Sequence, residues 1–78
     1  MTEFVLCFRS AGDAIAGERK LLDVGLDVRM IDSPKTIQNN CGICLRVHSA
    51  DIGKVKLILG KTIQAIYQEN GETFTALP

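Results

Sequence analysis

The sequence is short of charge imbalance, of histidine and of long apolar runs, and each shortage removes a class of function. Lys plus Arg and Asp plus Glu number nine each in 78 residues, so no basic footprint for nucleic acid exists. No apolar stretch approaches the roughly 18 residues that a membrane-spanning helix needs. The opening Met1-Thr2-Glu3 is acidic and leads straight into an apolar strand, which predicts no signal peptide and makes the cytoplasm the expected compartment. With a single histidine, no Ser/His/Asp constellation is in view. Gly12 and Gly17 stand alone within a helical stretch, so there is no glycine-rich phosphate loop. Three cysteines are odd in number and too few for a disulfide scaffold. In a reducing compartment they are free thiols, metal ligands or redox groups. No motif asks for a cofactor.

What is present is a small folded unit. Hydrophobic residues make up 46% of the chain, which argues against disorder. The length predicts one domain over 1–78, with a modest core, because a chain this short buries only roughly 60% of its unfolded surface. Residues 3–9 read as a first strand, with Phe4, Leu6 and Phe8 on one face and Val5, Cys7 and Arg9 on the other. Ser10 is placed to cap a helix and Asp13 sits where a capping-box acid belongs. Ala11, Ala14, Ile15, Leu21 and Leu22 follow helical spacing, with Glu18 at the rim, and Gly25 ends the helix. A second strand is expected over 26–31, stopped by Ser33-Pro34, and 35–40 reads as loop. A third strand over 43–48 puts Ile43, Leu45 and Val47 on one face and Cys44, Arg46 and His48 on the other. Ser49 and Asp51 are alternative caps for a helix over 51–59, whose stripe is Ile52, Val55, Ile58 and Leu59, and Gly60 closes it. A fourth strand over 62–69 places Ile63, Ala65 and Tyr67 together. Asn70-Gly71 is a hairpin signal, so 70–78 is either a short fifth strand or a frayed tail.

The order strand, helix, strand, strand, helix, strand predicts an α+β class, two-layer ferredoxin-like βαββαβ sandwich with both helices on one face of an antiparallel sheet and the other face open. In that topology strand three lies antiparallel beside strand one. Cys7 and Cys44 then become cross-strand neighbours at ~4.5–5.5 Å on the open face. Cys41 lies in the loop just outside, and the start of helix one, Lys35 and Lys61 emerge at the same edge. Along extended chain Cys41 and Cys44 would be ~10 Å apart on opposite faces, so they bridge only if Cys41-Gly42 curls back.

The stretch Asn39-Asn40-Cys41-Gly42-Ile43-Cys44 is therefore where reactive chemistry is expected. Only a thiolate attacks or carries sulfur, and a helix N-terminus or a nearby ammonium favours it. Gly42 permits a tight turn or a close backbone approach beside the sulfur. Asn40, Pro34 and Lys35 would shape the site around it. Against this, Cys41 can be read as an incidental loop cysteine, and Cys7 and Cys44 as small apolar fillers. A thioredoxin-type site does not fit, because the cysteine pair opens a strand rather than a helix. His48 lies ~13 Å along the strand from Cys44, which leaves only a three-thiolate site as a metal option. The open face with Val5, Cys7, Cys44 and Arg46 could join two copies or hold a partner, making the chain an interaction module or a thiol redox switch.

The apolar strand ending Phe8-Arg9-Ser10, then Ala14 and Glu18 to Leu22, lead to Gly25-Leu26-Asp27-Val28-Arg29 and Ser33-Pro34. Together with Asn40-Cys41-Gly42 entering Leu45-Arg46 and the stretch 51–59, they resemble the small bacterial family described as putative selenium/sulfur carrier protein-like. The likeness runs from about Phe4 to Tyr67. It departs where the family shows serines before Cys-Gly and this chain has Asn39 and Asn40, in the added Cys44, and in the tail after Asn70. The resemblance implies that Cys41 is a carrier thiol holding a persulfide-type sulfur or selenium intermediate, relayed between a donor and an acceptor protein. It implies a carrier rather than a turnover enzyme. Independently of the resemblance, the expected placement of Cys44 and Cys7 near Cys41 makes them candidate resolving thiols.

Overall fold

The computed structural model describes residues 3–37 and 41–77. The elements are β1 (Glu3–Phe8), α1 (Ala11–Asp23), β2 (Val28–Asp32), β3 (Ile43–His48), α2 (Ile52–Leu59), β4 (Ile63–Asn70) and β5 (Thr73–Ala76). Short 3-10 turns, Ser49–Asp51 and Gly60–Thr62, flank α2. The strands form one antiparallel sheet in the order β2-β3-β1-β4-β5. This is the expected ferredoxin-like order, with β5 added at the edge as the second arm of the Asn70-Gly71 hairpin. No helix of the described residues is long and apolar enough to cross a membrane.

Local signals set the ends of α1. Ser10 is extended and its Oγ accepts from the Asp13 N–H at 3.1 Å, satisfying one of the free donors of the first turn. At the other end Gly25 takes φ +83°. Its N–H donates to Leu22 O, and the Leu26 N–H donates to Leu21 O, both at 3.0 Å. Those two bonds are the Schellman pattern. The second helix differs from expectation: Asp51 makes no side-chain cap, and the chain enters α2 through a 3-10 turn instead.

The core between helices and sheet is built from Leu6, Phe8, Val28, Leu45 and Val47 of the sheet, Ala14 and Leu21 of α1, and Val55 and Leu59 of α2. The buried stripe of α1 runs through Ala14, Gly17 and Leu21, whereas Ile15 and Leu22 are more than half exposed. Gly17 decides this rotation. A Cβ there would meet Leu59 and the Phe8 ring at 3.4 Å, so the helix sits close to β1 and α2 at that point. Ile15 and Leu22 are left on its flank.

Two expectations about the sheet are corrected. Ile63 does not share a face with Ala65 and Tyr67. It pairs with Phe8 and packs in the helix-side core, while Ala65 pairs with Cys7 on the opposite face. A register shift between Cys7 and Phe8 leaves Gln64 as the extra residue. Such a bulge changes the parity of a strand, and here it keeps Gln64 out of the core position that Ile63 takes. The face away from the helices is also not open. Val5, Cys7, Ile37 and Cys44 form a second buried cluster there, flanked by Ile31, Ala65, Tyr67 and Phe74. Loop residue Ile37 is buried over the sheet, so the apolar half of that face is closed within the chain. A homodimer through Val5, Cys7 and Cys44 therefore lacks the surface it was expected to use.

The Gly17 contacts lead to a size-graded test. Alanine at Gly17 fills ordinary contact space and gains helix propensity of about 1 kcal/mol, so Gly17→Ala should hold or raise stability. Leucine overpacks the Phe8–Leu59 contact, and Gly17→Leu should cost roughly 1–3 kcal/mol. Urea unfolding of the two variants checks both signs.

Candidate functional site

The end of β1 brings two thiols together. Cys7 stands directly opposite Cys44 in the β1–β3 register and opposite Ala65 in the β1–β4 register. The two sulfurs are 3.5 Å apart, and both side chains are buried. No disulfide joins them. Cys44 Sγ is also 3.5 Å from Ser33 Oγ, where the chain leaves β2. The hydrogen bond to Cys44 pushes the Cys7 thiol far above the ordinary thiol value. Burial and then the nearby charges of Cys44 and Cys41 add to this. The Cys7 thiol thus holds its proton more tightly than an ordinary thiol.

Cys41 lies in the turn that enters β3 and is half-buried. Gly42 adopts φ +77°, a left-handed conformation that costs other residues roughly 1–2 kcal/mol. A Cβ at Gly42 would meet no atom within 4 Å, so the requirement is for backbone conformation and not for space. The turn folds the chain back on itself, and the Cys41 thiol donates to the Ile43 carbonyl at 2.9 Å. The Ser33 N–H donates to Gly42 O at 3.0 Å. Ser33 thus holds the Cys41–Gly42 turn through its backbone and reaches Cys44 through its side chain.

The expected grouping of the three cysteines at one end of the sheet divides into a buried pair and a more accessible third. Cys41 is close enough for its charge to act on Cys7. Pro34 is half-buried and turns the loop, accepting the Ile37 N–H at 3.0 Å, whereas Lys35 is exposed. Lys61 is exposed in the turn before β4. Asn40 lies outside the described residues. Among the described residues no group of three Cys, His, Asp or Glu side chains is arranged to hold a metal ion. Ser33 and Ile37 were not singled out from the sequence. A serine before proline reads as a turn, and a lone isoleucine in a polar loop has no period to announce it.

The charged residues occupy the other end of the same face. Arg46 donates through Nε and Nη2 to the two oxygens of Glu69 at 3.0 and 3.2 Å, a forked pairing. His48 Nε2 lies 2.8 Å from Asp27 Oδ2, and its Nδ1 lies 3.6 Å from Glu3. Glu3, Asp27, Arg29, Arg46 and His48 line a cleft of about 140 Å³. A second cleft, about 250 Å³, is lined by Lys56, Gly60, Leu77 and the Ile63–Ile66 edge of β4. Neither cleft is lined by a cysteine.

The hydrogen bond to Asp27 raises the His48 imidazole above its ordinary value of 6.5. Burial opposes this, and the charges of Asp27, Glu3 and Asp51 reinforce it. A raised folded-state value means that the contribution to stability is full below pH ~6.5 and fades as pH rises through the folded-state value. An NMR titration of His48 should show the elevated midpoint, and Asp27→Asn should lower it and flatten the loss of stability toward alkaline pH. For the Cys41 turn, Gly42→Ala should cost roughly 1–2 kcal/mol and change the rate at which Cys41 reacts with a small alkylating reagent.

A family model described as "Putative Se/S carrier protein-like" matches residues 3–68 of the chain. That span runs from β1 into β4 and leaves out β5. Comparison with curated proteins and with solved structures found no match.

Proposed function

We propose, on the premise that this chain belongs to the family described as putative Se/S carrier protein-like, that Cys41 is the thiol that carries the chalcogen. The observation that carries this reading is the division of the cysteines. Cys7 and Cys44 are buried, whereas Cys41 is the one with accessible surface. Transfer of sulfane sulfur between proteins needs two sulfur atoms in contact, so an enclosed thiol cannot serve. Cys41 also lies in a turn whose shape is set by Gly42 and by the Ser33 backbone bond, which presents the sulfur at a defined position.

The transfer is electron-neutral. The Cys41 thiolate attacks the outer sulfur of a donor protein's persulfide, the donor cysteine leaves as thiolate, and Cys41 becomes the persulfide. A thiolate on an acceptor protein reverses the step. Selenium follows the same course. The hydrogen bond from Cys41 to Ile43 O holds the unloaded sulfur and is given up when the thiol ionises. Pro34 and Lys35, in the loop after β2, are the residues we assign to meeting the partner. The partners are the sulfur or selenium donor and acceptor proteins.

Incubation with a cysteine desulfurase and cysteine, followed by intact mass, tests the assignment. Wild type should gain one sulfur on Cys41, and Cys41→Ser should gain none. Equal loading of Cys41→Ser would remove Cys41 from the role.

A further inference from the structure

The buried Cys7–Cys44 pair plays no part in carrying, yet its geometry is that of a reactive dithiol. The two sulfurs face each other at 3.5 Å from directly paired positions on adjacent strands. Antiparallel partners have Cα atoms ~4.5–5.5 Å apart, inside the roughly 4.4–6.8 Å range of disulfides. Closing the bond needs the sulfurs to approach to about 2.0 Å, without a change of register. Cys44 is the shared atom of the cluster, within 3.5 Å of both Cys7 Sγ and Ser33 Oγ. It also lies three residues from the Cys41 turn, which Ser33 ties to it. Simple filler would explain two small buried side chains. It would not explain two sulfurs in contact, with a hydroxyl on one of them, next to the turn that bears the third.

We infer that the Cys7–Cys44 dithiol is a built-in reductant that releases the chalcogen carried by Cys41 as sulfide or selenide. This rests on the carrier reading of Cys41. The outer sulfur of a loaded Cys41 projects about 2 Å beyond Sγ, which extends its reach toward the pair. Cys44, within hydrogen-bond distance of Cys7 and of the Ser33 hydroxyl, attacks that outer sulfur. The bond between Cys41 Sγ and the outer sulfur breaks, Cys41 regains its thiol, and Cys44 becomes the persulfide. Cys7 then attacks Cys44 Sγ and hydrogen sulfide leaves. The sulfane sulfur has taken up two electrons, the two thiols have given them as one disulfide, and their protons are accounted for in the Cys41 thiol and the hydrogen sulfide.

The groups around Cys7 suit this order. Before loading, its proton is held first by the hydrogen bond with Cys44, then by burial, and then by the Cys44 and Cys41 charges. Once the outer sulfur has moved onto Cys44, Cys44 Sγ is the electrophilic atom facing Cys7 across the strands, and Cys7 acts second. Ile37 covers the pair, which keeps small thiols from discharging the intermediate at random. An external dithiol reductant restores the pair after release.

The test uses the full chain, reduced, loaded by desulfurase and cysteine and then separated from both. Intact mass immediately after loading reads the carrier step. Sulfide release and a non-reducing peptide map read the dithiol step. Expected are one sulfide per loaded chain and a Cys7–Cys44 bridge, with Cys7→Ser retaining its sulfur. Folding of Cys7→Ser is checked by circular dichroism, and the bridge map on wild type needs no variant. Loading without a Cys7–Cys44 bridge, or a bridge from Cys41 to Cys44, overturns the release step and leaves the carrier reading standing. Absence of sulfur on Cys41 in both wild type and Cys7→Ser, with no Cys7–Cys44 bridge formed, overturns the carrier reading and the release step with it.

Discussion

Strand β1 has no wet face along its second half, and the rest of the molecule is arranged to satisfy that. Leu6 and Phe8 point into the helix-side core while Val5 and Cys7 point into the second cluster, and all four are buried. Burying Val, Leu or Phe contributes roughly 1.5–3 kcal/mol each, so both sides of one short strand must be covered. The helices cover one side. The other is covered by neighbouring strands and by Ile37, which brings the loop after β2 down onto the sheet. That loop contains Ser33, and through Ser33 the covering of the core also sets the position of the Cys41–Gly42 turn.

The same constraint accounts for the bulge in β4. Regular alternation from Ile66 would place Gln64 against Phe8. The register shift substitutes Ile63 and leaves Ala65 opposite Cys7. A small residue at that position sits beside the sulfur pair without crowding it. The bulge thus serves the core and the cysteine cluster together, with one extra residue next to the chemistry.

Much of the fold was legible in the residues. Alternation in 43–48 defined β3 without error, Ser10 and Gly25 marked α1 within a residue, and Asn70-Gly71 marked a hairpin. These signals are local, and each acts within a few residues. What failed was longer in range. The α1 stripe was read through Ile15 and Leu22 because hydrophobicity was counted, whereas the smallness of Gly17 set how the helix lies. Ile63 was placed on the wrong face because strict alternation was assumed across a bulge. The second cluster was missed because Ile37 contacts the sheet from a loop with no period. At the site, the neighbourhood of Cys7 and Cys44 followed from topology, but their burial depended on that unpredicted cover.

By itself the sequence determined the element order, the helix ends, the cross-strand parity of Cys7 and Cys44, and the need for glycine beside Cys41. Each of these depends on backbone conformation or on spacing along the chain. Only the tertiary structure decided that the cysteines are unequal. Two are enclosed and in contact, and one is left in a turn with accessible surface. Solvent access is a property of what packs over a side chain. For Cys7 and Cys44 that cover comes from residues distant in sequence, whereas Cys41, in the turn at Gly42, is only partly buried. Cys41 and Cys44, three residues apart in the chain, differ in burial once folded, and the pair Cys7–Cys44, 37 residues apart, is made by folding.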